Sequence, residues 1–151
     1  MDFNKIIFKE CDSSDYDFQL LRTIHRLCME DTVKNSIGLW DDDFQHTRLK
    51  SHYEANGNTL KFIKYQDEII GTINVHTQQF ESLNTYYIQQ LYLKPNYQRT
   101  GLGTYLLDYF STGKHVRLSV LKDDSKAISF YERNGFRPYD QDQYQLYLEK
   151  M

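Results

Sequence analysis

The stretch from Ile88 to Gly103, Ile-Gln-Gln-Leu-Tyr-Leu-Lys-Pro-Asn-Tyr-Gln-Arg-Thr-Gly-Leu-Gly, constrains the fold of this chain more than any other. Its first half is dense in Ile, Leu and Tyr, as a strand is. Pro95 has no backbone donor, so strand pairing should end near it. Beyond Gly101 the apolar residues Leu102, Tyr105, Leu106, Tyr109 and Phe110 recur at helical spacing, which predicts a helix of about three turns. Gly113 then stands where a glycine stop belongs. The turn between, Gln98, Arg99, Thr100, Gly101, Leu102, Gly103 and Thr104, is where chemistry is expected. Two glycines at a helix start let backbone N–H groups approach an anion with no Cβ in the way. The helix N-terminus adds unpaired N–H groups and about half a positive charge. A pyrophosphate suits such a place. An ordinary strand-to-helix turn reads the same way. The longer glycine fingerprint of a dinucleotide fold and the lysine of a P-loop are both missing.

The rest of the chain supplies an alternation of elements. Phe3 to Lys9 reads as a first strand. Ser13, Ser14 and Asp15 offer capping oxygens to a helix whose stripe is Leu20, Leu21, Ile24, Leu27 and Cys28. Residues 30–43 lose periodicity and read as a loop, followed by a helix capped by Asp41 or Asp42 and running to about Ala55. Asn56, Gly57 and Asn58 signal a turn. Leu60 to Tyr65 and Ile69 to His76 form a hairpin, and Gln78 to Asn84 is a polar connection. Val116, Leu118 and Val120 alternate with Arg117 and Ser119 as a strand. A helix around Ala127, Ile128 and Tyr131 stops at Asn134 and Gly135, and Tyr144, Leu146 and Leu148 mark a last strand. The order β-α-α-β-β-β-α-β-α-β-β predicts an α/β (α+β) domain with a mixed, mostly antiparallel central sheet flanked by helices.

A chain of 151 residues suits one domain, residues 1–151, with a substantial core. Hydrophobic content of 40% and charged content of 26% are ordinary for a soluble protein. No apolar run reaches membrane-spanning length, and the N-terminus lacks the pattern of a secretory signal, so a cytoplasmic location and no membrane partner are expected. A net charge of −3 gives no basic face for nucleic acid. Cys11 and Cys28 have no metal-ligand spacing, so no metal is expected and reduced thiols are.

Gln98-x-x-Gly101-x-Gly103, after a strand ending Leu91-Tyr92-Leu93, resembles the acetyl-CoA signature of the GNAT superfamily of N-acetyltransferases. Asp124-x-x-Ala127-x-x-x-Tyr131-x-x-x-Gly135-Phe136 is similar to a later motif of the same family. The two stand in the family order, one strand apart, and cover roughly residues 86–140. The first half of the chain resembles the family in element order alone, and that order is also the one the resemblance implies.

The resemblance implies acetyl transfer from acetyl-CoA, as acyl-donor cosubstrate, to an amine on a small molecule or peptide. It implies that the fourth strand splays from the fifth, and that free backbone groups near Leu91, Tyr92 and Leu93 hold the pantetheine arm and polarise the thioester oxygen. Tyr131 matches a tyrosine beside the CoA sulfur and is the catalytic candidate. Asp124 stands where the family usually has Asn. It is counted with the cofactor-binding residues, although a carboxylate repels phosphate and Asp124 or Ser125 can cap the helix instead. Many members carry a Glu on the fourth strand; here Tyr87, Gln89 and Gln90 occupy those positions and none is a base at neutral pH. His76, Glu30, Asp31 or Glu81 would assist through water. For the acceptor the candidates are Glu30, Asp31, Trp40, Gln89 and Gln90. Acidic groups around an aromatic suit a cationic amine, while Asp41 to Asp43 equally suit a helix start. Two other readings stay open: an inactive acyl-CoA-binding module, and a transferase for longer acyl chains. A homodimer is also compatible with the sequence.

Overall fold

A computed structural model describes residues 1–12, 14–56, 59–80 and 83–151, and of residues 52, 55, 56, 78–80 and 83 it describes the backbone alone. Ser13, Gly57, Asn58 and Glu81, named above, lie outside the described residues. Seven strands form one sheet: β1 Ile6–Glu10, β2 Leu60–Tyr65, β3 Glu68–Phe80, β4 Leu83–Leu93, β5 His115–Leu121, β6 Arg137–Gln141 and β7 Gln145–Lys150. The four helices are α1 Asp15–Ile37, α2 Asp42–Asn56, α3 Leu102–Ser111 and α4 Ser125–Arg133. The expected order therefore holds. The sheet runs β1-β2-β3-β4-β5-β7-β6, and among the described residues only the β4–β5 pair is parallel.

Side-chain alternation along the strands divides the core into two layers. Phe62 faces Phe18, Leu21, Ile24 and Leu49, under α1 and α2. Its neighbour Ile63 faces the other way, to Leu102 and Leu106 of α3. Beside β5, Val116 and Leu118 pack with Tyr131 and Phe136.

Three expectations need correction. The first strand begins at Ile6, because Phe3–Lys5 form a short 3-10 turn. Residues 30–37 are helix, not loop: α1 runs on to Ile37 and ends only where Gly38 adopts φ 101°. Apolar periodicity fades there, but Glu30 bonds Arg26 and Lys34 one turn either way, and such pairs support a helix without a buried stripe. Nor is Gln78 to Asn84 a free connection. The β3–β4 ladder continues through Gln78↔Thr85 and Gln79↔Asn84 to Phe80↔Leu83, since ladder bonds come from the backbone and need no apolar side chains.

Candidate active site

Two backbone events in β4 create the site. The β3–β4 register passes from Val75↔Ile88 to Asn74↔Gln90, so Gln89 is an extra residue. A bulge of this kind bends its strand and disrupts the ladder locally. On the other edge, parallel pairing to β5 runs from Thr85↔His115 to Ile88↔Leu118 and stops. Beyond that point β5 pairs with β7 alone, through Ser119, Val120 and Leu121. A wedge opens between Gln89–Leu93 and Ser119–Leu121. Lys94 N–H donates to Ile70 on β3. Alternation then turns the backbone groups of Leu93 and Leu91 toward the open edge.

The wedge divides a cleft into two sides. One side lies between α3, α4 and α1. At its floor Gly101 holds φ 84° and supplies no side-chain cap to α3, and Thr100 Oγ1 accepts from Leu102 N–H over 3.4 Å. The N–H groups of Gly103 and Thr104, which line the cleft, precede the first intrahelical carbonyl partner. At Gly103 a Cβ would stand 3.0 Å from Cζ of Phe130, so any side chain there would push that ring by a few tenths of an ångström. Arg99, Lys126 and Arg133 bring three cations to this side. Lys126 and Arg133 were not singled out from the sequence, although their seven-residue spacing on α4 puts them on one helix face. Gln98 turns its side chain inward, donating from Nε2 to Leu93 O over 2.8 Å. Cys28 Sγ donates to the same carbonyl over 3.2 Å, and burial pushes its thiol up to about 11.

The other side is a cavity of about 580 Å³ between α1, α2, the wedge and the β6–β7 turn. Met29, Val33 and Phe44 give it an apolar wall, and Gln45, Gln89, Gln90, Arg48 and His25 give it polar groups. His25 is buried, its ring 5.4 Å from Trp40 and 5.5 Å from Tyr92. Leu91, Tyr92, Asp124 and Tyr131 line both sides and mark the junction. Tyr131 is 8% exposed, and burial, then the neighbouring Tyr92 and Asp124, hold its phenol well above the usual tyrosine range.

The cleft thus has a helix start and three cations on one side and a mixed polar and apolar pocket on the other. A model of the acetyltransferase (GNAT) family matches residues 19–136. The chain belongs to that family. Solved structures agree on the GNAT fold at low identity. An acetyltransferase from Thermus thermophilus superposes with TM-score 0.73 at 17% identity, covering 99% of each chain. The PaiA N-acetyltransferase of Thermoplasma acidophilum, in complex with coenzyme A, gives 0.67 at 21%, covering 96% of this chain and 98% of that one. An Arabidopsis thaliana protein in complex with the bisubstrate analogue CoA-Ac-MVNAL gives 0.66 at 18%, with 97% and 99% covered.

The remaining candidates are placed as follows in this GNAT domain. Thr100 donates its hydroxyl to Tyr97 O over 2.9 Å, and Thr104 lies on the α3 side of the cleft. Asp124 accepts from Ala127 N–H over 3.1 Å and so caps α4. Asp31 lies on the α3–α4 side of the cleft, Gln89 and Gln90 on the cavity between α1 and α2. Glu30 and Trp40 line neither. Arg26 and Lys34 engage Glu30 and hold its carboxyl down at about 2. Trp40 donates to Asp42, which also pairs with Arg22 and Arg26. Asp41 accepts from Phe44 N–H over 3.0 Å. The acidic cluster is thus a helix cap and a salt-bridge network, the plainer of its two readings. His76 lies on β3 against Tyr87, 5.5 Å between ring centres, and lines neither side.

Proposed function

We propose that the chain transfers an acetyl group from acetyl-CoA to an amine by direct attack in a ternary complex. One observation carries this reading: the wedge that Gln89 opens in the sheet joins a cationic helix start to a separate pocket, with Tyr131 at the junction. The first-turn N–H groups of α3, with Arg99, Lys126 and Arg133, bind pyrophosphate. The open edge at Leu91 and Leu93 pairs with the amide groups of the pantetheine arm as a strand would. A backbone N–H there also faces the thioester oxygen, and such a donor to a developing oxyanion is worth about 3 kcal/mol. Leu93 O exchanges its bonds from Gln98 and Cys28 for the arm.

Tyr131 donates a hydrogen bond to the departing thiolate. Its raised pKa keeps it protonated and makes it a donor rather than a full proton source, since a thiol has a pKa near 8.5. A thiol raised to about 11 by burial is not a nucleophile at neutral pH, and this holds for Cys11 as well as Cys28. That favours a single displacement over an acyl-cysteine. The amine nitrogen forms the C–N bond, the C–S bond breaks, and the amine proton leaves through water.

One observation favours the inactive-module reading. The two carboxylates beside the acceptor pocket, Asp124 and Asp142, are both engaged as caps, so neither is placed as a base. Release of free CoA from acetyl-CoA over a panel of amines separates the readings. Time-dependent release with one amine, at a rate above hydrolysis, supports transfer. Tight acetyl-CoA binding with no release over the panel overturns it in favour of the module. Repeating the assay with propionyl- and butyryl-CoA fixes the acyl chain.

A further inference from the structure

Three polar side chains on the acceptor side have unused hydrogen-bonding capacity. Gln45 and Gln90 are each 6% exposed, and the carboxamide oxygen of each is buried without a hydrogen-bond partner. Buried acceptors of this kind are rare and costly unless a ligand supplies the donor. Arg48 stands three residues after Gln45 on α2, on the same face. Among the described residues it makes no ion pair or hydrogen bond, yet its charge reaches the phenol of Tyr92. The acids nearby are occupied: Asp124 caps α4, and Asp142 accepts from Tyr144 N–H, Gln145 N–H and the Tyr147 hydroxyl. The pocket therefore offers two acceptors for N–H donors, one cation for an anion, and an apolar wall of Met29 and Val33.

Resting on the transferase reading, we infer that the acceptor is a primary amine that also carries a carboxylate, of the free amino-acid type. Its carboxylate pairs with Arg48 and its amine N–H groups donate to Gln45 and Gln90. A guanidinium and a carboxylate form a strong, charge-assisted pair, and the neutral carboxamides hold the amine without stabilising its protonated form as a carboxylate would. A peptide N-terminus supplies the amine but only a neutral carbonyl in place of the anion.

The test uses the full chain saturated with CoA, titrated by calorimetry with the proteinogenic L-amino acids, each against its own amide and against an amidated tripeptide beginning with it. At least one amino acid should bind about tenfold or more tightly than its amide. Arg48→Gln should erase that preference while leaving CoA affinity unchanged. Gln90→Met should weaken amino acid and amide together and should melt no lower than the wild type, because it removes an unpaired buried oxygen. Equal or tighter binding of amides or tripeptides, binding of no amino acid at all, or a preference that survives Arg48→Gln would each overturn the inference. A bound amino acid that releases no CoA from acetyl-CoA would instead overturn the transferase reading, leaving the pocket as an amino-acid-binding site without an acceptor role.

Discussion

At the scale of the residue, Tyr131 is the most informative side chain. Tyr131→Phe keeps the ring against Phe130 and Phe136 and removes the hydroxyl alone. Acetyl-CoA affinity should hold within a few-fold and kcat should fall by about 10²-fold. A loss in kcat with binding unchanged marks an interaction made in the transition state, and a variant that turns over at the wild-type rate would refute the role. Because the phenol is shifted upward, the wild-type rate should climb with pH as the amine loses its proton, with no decline from Tyr131 ionising below pH 10. Gly101→Val, the obvious variant from sequence, is a poorer probe. At φ 84° a side chain costs about 1–2 kcal/mol, so lost cofactor binding would be mixed with lost stability.

At the scale of the element, the closed end of the wedge is pinned by a polar chain. Thr85 Oγ1 meets His115 Nδ1 at 2.7 Å, His115 Nε2 meets Glu149 Oε1 at 2.9 Å, and Arg117 Nε donates to the same oxygen over 3.2 Å. It ties β4, β5 and β7 where parallel pairing begins. The hydrogen bond from His115, then Arg117, holds the Glu149 carboxyl below its ordinary value of 4.5. A lowered folded-state pKa contributes stability above that ordinary value, and the contribution is lost as pH falls through the lowered one. Glu149→Gln should therefore have a lower urea midpoint than wild type at pH 7, and the gap should narrow toward pH 3. Equal midpoints at pH 7 would show the chain to be passive. The elements themselves were largely legible in sequence, because 2-residue and 3.6-residue periods report burial directly. What escaped lies where burial is not the cause. Residues 30–37 are held by ion pairs, and 78–80 and 83–84 by ladder bonds. The turn at Gly101 was legible from its glycines. The acceptor pocket was not, since Gln90 is distant in sequence from Gln45 and Arg48 and meets them only around the folded cavity.

At the scale of the whole molecule, the cleft joins α1, α3, α4 and the sheet, so a ligand there ties together parts that otherwise touch only through the core. Acetyl-CoA at a hundredfold excess over Kd should stabilise the fold by about 2.7 kcal/mol, a rise of about 5–10 °C in Tm for a domain of this size. Scanning calorimetry with and without acetyl-CoA reads it, and an unmoved transition at millimolar ligand would refute the site. The extra residue at Gln89 has a consequence of a different kind, one of parity. Ile88 and Leu91 are an odd number of positions apart, yet both pack on the cluster around Val116, Tyr131 and Phe136, which an unbroken strand forbids. One uncounted residue inverts the phase of everything after it. The gap in the sheet is thus encoded in the length of β4 and not in the chemistry of any single side chain. Gln89→Ala should keep the fold and the acetyl-CoA shift. Deleting Gln89 leaves Ile88 and Leu91 two positions apart, so an unbroken strand keeps Leu91, Leu93 and Tyr92 on their present faces but loses the bulge that opens the gap. The fold should survive and the acetyl-CoA shift should not.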